Sequence, residues 1–89
     1  MISFVFTAYA EKAFLKLPNV VQKRITEKLK VLKSHPDIMS VLKQLHDFEP
    51  ATHRLRIGDY RLILELEKQA SDDYEFAVLD VGHRRDIYT

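Results

Sequence analysis

HRLRIGDYRLILEL, residues 53–66, alternates apolar and polar side chains on either side of a Gly-Asp pair. A period of two belongs to a half-buried strand. Gly58 can take the positive φ that opens a type II′ turn. The stretch therefore predicts a two-residue hairpin, with Ile57 opposite Tyr60, Arg56 opposite Arg61 and Leu55 opposite Leu62. Arg54 lies two residues from Arg56 and shares its face. Arg54, Arg56 and Arg61 thus converge on one side, while Leu55, Ile57, Leu62 and Leu64 pack on the other.

Like charges directly opposite on a sheet cost about 0.2–1 kcal/mol. Guanidinium suits phosphate, because its planar fork donates two parallel hydrogen bonds. The arginine patch is therefore a candidate anion site, and a solvated sheet face is the plain alternative.

Upstream, residues 2–6 (ISFVF) are β-branched and aromatic and predict a strand. Thr7 is placed to cap a helix whose apolar face is Ala10, Ala13, Phe14 and Leu17. Leu17-Pro18 ends that helix, and Pro18 suits the opening of a second. Val21, Ile25, Leu29 and Leu32 then recur at helical spacing until Ser34-His35-Pro36-Asp37 stops them. Two helices joined so tightly predict an antiparallel hairpin. Residues 37–51 show weak periodicity and predict a surface crossing with a turn of helix near 38–43. Strands at 53–57, 60–67 and 74–81 form an antiparallel meander, with KQASDDY as a polar connector. The expected fold is α+β: an N-terminal strand and a helix hairpin packed on a mainly antiparallel four-stranded sheet, in the order β-α-α-β-β-β.

The chain has 89 residues, enough for one domain spanning 1–89. Without cysteine it holds no disulfide, thiolate or zinc–cysteine chemistry. His35, His46, His53 and His83 are scattered, so no metal site and no cofactor is expected. MISFVFTAYAEK lacks the charged start and long apolar run of a signal peptide or membrane span, which makes a cytoplasmic protein the expectation. Net charge is only +1, but residues 19–34 carry five cations against one carboxylate and residues 65–75 the reverse. Local fields therefore matter more than the total. Phe4, Phe6, Phe14, Phe48 and Phe76 are expected in the core.

The chain ends in GHRRDIY, residues 82–88, followed by Thr89. This segment follows the last strand directly and brings His83, Arg84, Arg85 and Tyr88 to the rim of the sheet. Histidine exchanges protons near neutral pH. Tyrosine can stack on a base or donate its hydroxyl.

The element order, with RLRIGDYRL at 54–62 and VGHRRDIY at 81–88, resembles the RelE/ParE superfamily of microbial toxins over nearly the whole chain. The terminal HRRDIY is similar to the ribosome-dependent RelE branch. That resemblance implies a RelE-like microbial RNase fold and a toxin of a type II toxin–antitoxin system. It implies a metal-independent endoribonuclease that cuts mRNA in the ribosomal A site, by attack of a 2′-hydroxyl on the adjacent phosphate. The implied partners are a cognate antitoxin, the ribosome and mRNA, with no membrane and no small-molecule cofactor.

By the same resemblance Arg61 and Arg84 stabilise transition-state charge, while Arg54, Arg56 and Arg85 position phosphate. Tyr88 stacks on the base or assists proton transfer. Arginine is a poor proton acceptor at neutral pH. That leaves His83 as base, Tyr88 as second choice, or positioning and charge stabilisation as nearly the whole of catalysis. On this reading Arg61→Ala leaves folding intact. The alternatives within the same fold are a ParE-like gyrase inhibitor and an inactive subunit that binds antitoxin and represses.

Overall fold

A computed structural model describes residues 1–87. The elements are β1 (Ile2–Phe6), α1 (Ala8–Leu15), α2 (Asn19–Leu32), β2 (Leu42–Gln44), β3 (His53–Ile57), β4 (Tyr60–Ala70) and β5 (Asp73–His83). They form one five-stranded sheet in the order β1-β5-β4-β3-β2. β1 runs parallel to β5 and every other neighbouring pair is antiparallel. The α+β class and the helix pair stand as expected, with one strand more than the sequence suggests.

The helices form where capping and apolar spacing require them. The Ala10 N–H donates to Thr7 Oγ1 at 3.1 Å, closing the first turn of α1. Pro18 precedes α2 at the position where its missing N–H costs nothing. Gln22 Nε2 then donates to the Leu15 and Leu17 carbonyls, tying the start of α2 to the end of α1. Val21, Ile25, Leu29 and Leu32 of α2 are buried together with Leu55, Ile57, Leu62, Leu64, Phe76, Val78 and Val81 of the sheet. Removing this much apolar surface from water, at roughly 25 cal/mol per Å², is the main favourable term.

The fifth strand corrects the surface crossing read into residues 37–51. Ile38 and Leu42 are buried, and they anchor a 3-10 turn (Ile38–Val41) and β2 against the core. With so few apolar residues the segment shows no period, yet two of them suffice to dock it. Beyond β2 the Leu45 N–H donates to the Thr52 carbonyl, closing a loop that carries Phe48 outward. Phe48 is therefore exposed rather than in the core, and Phe4, Phe6 and Phe14 are only partly buried.

The polar connector KQASDDY is also shorter than it reads. β4 and β5 pair out to Ala70 and Asp73, leaving Ser71-Asp72 as the turn, with Ser71 at φ 53°. Register shifts between Ile63 and Leu64 and between Leu66 and Lys68 mark two bulges. The first puts both Val78 and Val81 on the core face although they lie three residues apart.

Candidate functional site

The β3–β4 hairpin forms as its alternation predicts. Ile57 faces Tyr60, Arg56 faces Arg61 and Leu55 faces Leu62. Gly58 has φ 59°, the conformation that a side chain disfavours. Because paired residues share a face, Arg56, Arg61 and Gly82 form one row across the open side of the sheet. Lys43, Arg54, Ile63 and Asp80 form the next row. Lys43 escaped the sequence reading because β2 itself did. Asp80 brings a carboxylate to the arginine side, but its Oδ1 accepts from the Val81 N–H at 2.8 Å.

The arginines are not equivalent. Arg56 is exposed and Arg54 half-buried. Arg61 is only 8% exposed. Its Nη1 donates to the carbonyls of Gly58 at 2.9 Å and Tyr60 at 3.0 Å. Part of the Arg61 fork is therefore spent on the turn, where it fixes the hairpin that carries Arg56.

The segment after β5 folds back on the same turn. The Arg84 N–H donates to the Asp59 carbonyl at 2.8 Å. Arg84 Nε stands 3.9 Å from Asp59 Oδ1, with both side chains exposed. Such a pair contributes about 0–1 kcal/mol, so the backbone bond does most of the holding. His83 pairs with Tyr60 across β4–β5, and their rings meet edge to face with centroids 5.4 Å apart. Alternation places that pair in the row of Ile57, on the helix side of the sheet and not in the arginine row. Arg85 is exposed, and its backbone N–H donates to His83 Nδ1 at 3.1 Å. Tyr88 lies outside the described residues.

Arg24 of α2 comes to the same end of the molecule. Its Nη1 stands 3.8 Å from where a Cβ on Gly58 would lie. In the sequence Arg24 is one cation among several on a helix, and nothing local tells which of them points at the hairpin turn.

Elsewhere, burial holds His53 below its usual 6.5. Its Nδ1 contacts Thr52 Oγ1 at 2.8 Å, and that oxygen also accepts the Leu66 N–H at 2.7 Å. The N-terminal ammonium hydrogen-bonds Asp73 and keeps that carboxyl below its usual 3.8. Neither group belongs to the arginine end. Among the described residues no cluster of three or more His, Asp or Glu side chains could hold a metal ion. No helix among them is long and apolar enough to cross a membrane. A cavity of about 510 Å³ between β1, α1 and α2, floored by Phe4, Phe6, Phe14 and Leu29, has no arginine in its lining.

The likenesses to known proteins bear on the family and the fold. The family profile described as the ParE toxin of type II toxin–antitoxin systems, parDE, matches residues 4–88. No curated protein matches the sequence. Among solved structures, the fold is similar to a chain of the RelBE2 toxin–antitoxin complex of Mycobacterium tuberculosis. That likeness has TM-score 0.73 and 25% identity, covering 92% of this chain and 96% of that one. It is similar to a chain of the intact Escherichia coli RelBE complex at TM-score 0.58 and 26% identity, covering 90% and 93%. An archaeal RelE–RelB complex from Pyrococcus horikoshii shares the fold at TM-score 0.68 and 22% identity, covering 96% and 97%. The chain belongs to the ParE toxin family of type II toxin–antitoxin systems, within the RelE/ParE superfamily.

Proposed function

We propose that this toxin is a ribosome-dependent, metal-independent endoribonuclease that cuts mRNA in the A site and so stops translation. The observation that carries the reading is the joining of its two motifs. The Arg56–Arg61 hairpin and the GHRR segment are tied at Asp59 by the Arg84 N–H. Arg56, Arg61 and Arg84 thereby stand around one end of the sheet, with Asp59 Oδ1 3.9 Å from Arg84 Nε and Asp80 in the row of Arg54.

In the reaction the 2′-hydroxyl oxygen attacks the adjacent phosphorus and the bond to the 5′-oxygen breaks. A 2′,3′-cyclic phosphate and a free 5′-hydroxyl remain. Negative charge on the phosphoryl oxygens rises as the nucleophile enters, and preorganised cations stabilise that charge more than the ground state. Arg56 and Arg84 are exposed and suit this role, with Arg61 as the buried brace of the turn. Arg54 and Arg85 position neighbouring phosphates, and Tyr88 stacks on a base. Charge stabilisation and alignment of the RNA on the ribosome supply most of the rate. A cognate antitoxin is the regulatory partner, supported by the toxin–antitoxin complexes in which the similar folds were solved. A cytoplasmic location follows from the ribosomal target.

The ParE description of the matching profile favours a second reading, inhibition of DNA gyrase. Purified toxin tested side by side in a cell-free translation reaction and a gyrase supercoiling reaction separates the two. Arrested translation with normal supercoiling is expected. The reverse pattern replaces the nuclease by a gyrase inhibitor, and no effect on either points to an inactive antitoxin-binding subunit.

A further inference from the structure

His83 is the one imidazole beside the GHRR arginines, and on residue type it invites the role of general base. Its surroundings assign it differently. Three successive amides close onto it: the Arg85 N–H on Nδ1 at 3.1 Å, and the Asp86 and Ile87 N–H groups on its carbonyl at 2.8 and 3.1 Å. An N–H donor requires a lone pair on the nitrogen it meets, so in the neutral ring this contact assigns the hydrogen to Nε2. A neutral imidazole has one lone pair, and here it is occupied. The ring also packs edge to face on Tyr60, which itself packs against the core. Its row is that of Ile57, on the face of the sheet away from Arg56 and Arg61.

We propose that His83 is a positioning residue: it caps the turn after β5 through Nδ1 and its carbonyl, and thereby aims Arg84 and Arg85 at the RNA phosphate. The first amide after His83 donates to Asp59 and the next three to His83 itself, so the chain reverses within one turn. Arg84 is held over the hairpin and Arg85 projects outward. Without Nδ1 the Arg85 N–H loses its acceptor while the backbone bonds at 84, 86 and 87 remain, so the turn loosens at Arg85 and the two guanidinium groups lose their fixed spacing. This rests on the nuclease reading for its consequence, though not for the turn itself.

Asparagine separates the cap from the imidazole. Its Oδ1 takes the place of Nδ1 in the same kind of turn, whereas glutamine and alanine do not supply that acceptor. With the full chain on ribosome-bound mRNA, His83→Asn should retain cleavage. His83→Ala and His83→Gln should lose up to about a hundredfold, the scale of loss for misplaced catalytic groups. Cleavage by His83→Asn as slow as by His83→Ala overturns the proposal and restores the imidazole as base.

A long-range ¹H–¹⁵N correlation spectrum of the free protein should show Nδ1 without a proton. Amide exchange should show the Arg85 N–H protected in wild type and His83→Asn but not in His83→Ala. A proton on Nδ1, or equal protection in all three, overturns the cap. If wild type leaves mRNA intact, the nuclease reading falls and the aiming role with it, while these two spectra still decide whether His83 caps the turn.

Discussion

Arg61 and Arg56 face each other across the hairpin and do different things. Arg61 is buried and donates to two turn carbonyls, whereas Arg56 stands exposed in the same row. A charged hydrogen bond is worth about 1.5–3 kcal/mol, and Arg61 makes two to one short turn. The account therefore predicts that Arg61→Ala loses about 2 kcal/mol of stability as well as cleavage, read by urea unfolding beside the cleavage rate. This replaces the expectation, drawn from sequence alone, that Arg61 can be removed without cost to folding. Arg56→Ala should unfold within about 0.5 kcal/mol of wild type and still lose cleavage. An unchanged cleavage rate in Arg56→Ala removes the arginine row from the site.

At the scale of elements, the hairpin turn is where fold and site coincide. Gly58 sits at φ 59°, and an added Cβ would meet Arg24 Nη1 only at ordinary contact distance, 3.8 Å. Gly58→Ala therefore tests backbone strain with little steric clash. It should cost about 1–2 kcal/mol in thermal or urea unfolding and lower cleavage further than that loss alone explains. Native stability in Gly58→Ala contradicts the role given to the turn. The hairpin was legible because alternation and a Gly-Asp pair specify register with no help from the rest of the chain. The two helices were legible for the same reason, from Thr7, Pro18 and the Val21-Ile25-Leu29-Leu32 stripe. β2 was not, because a three-residue edge strand has too few side chains to show a period, and its pairing with β3 is set by tertiary contact. The site was legible as a set of residue types and hidden in its geometry. Nothing in GHRRDIY tells that His83 falls on the helix face, nor does the composition of α2 tell that Arg24 reaches Gly58.

For the whole molecule, burial lowers the His53 pKa below the 6.5 of an unfolded chain. Between the two values the unfolded state holds a proton that the folded state does not, so stability falls as pH drops below about 6.5 and levels off above it. Asp73, held low by the N-terminal ammonium, adds a contribution present above 3.8 and lost as pH falls through its lowered value. Urea unfolding across pH 2–8 should show the His53 limb, and His53→Gln should flatten it near pH 6 while leaving the carboxylate limb below 3.8. An unchanged limb in that variant contradicts the burial of His53 as its cause. Charge is organised at this scale too, with cations on α2 and at the hairpin end and acids clustered at the Ser71-Asp72 end of the sheet. Such a polarity predicts that binding to a phosphate-rich partner weakens with salt.

On the nuclease reading, the hairpin arginines and the GHRR segment form one RNA-cleaving site. Its most direct test adds purified toxin to ribosomes stalled on a defined mRNA, maps the new 3′ ends and identifies their chemistry. The account predicts a cut inside the A-site codon that ends in a 2′,3′-cyclic phosphate, needs the ribosome, and survives removal of divalent metal from the toxin. Intact mRNA in the presence of folded toxin, or ends carrying a plain 3′-hydroxyl, contradicts it.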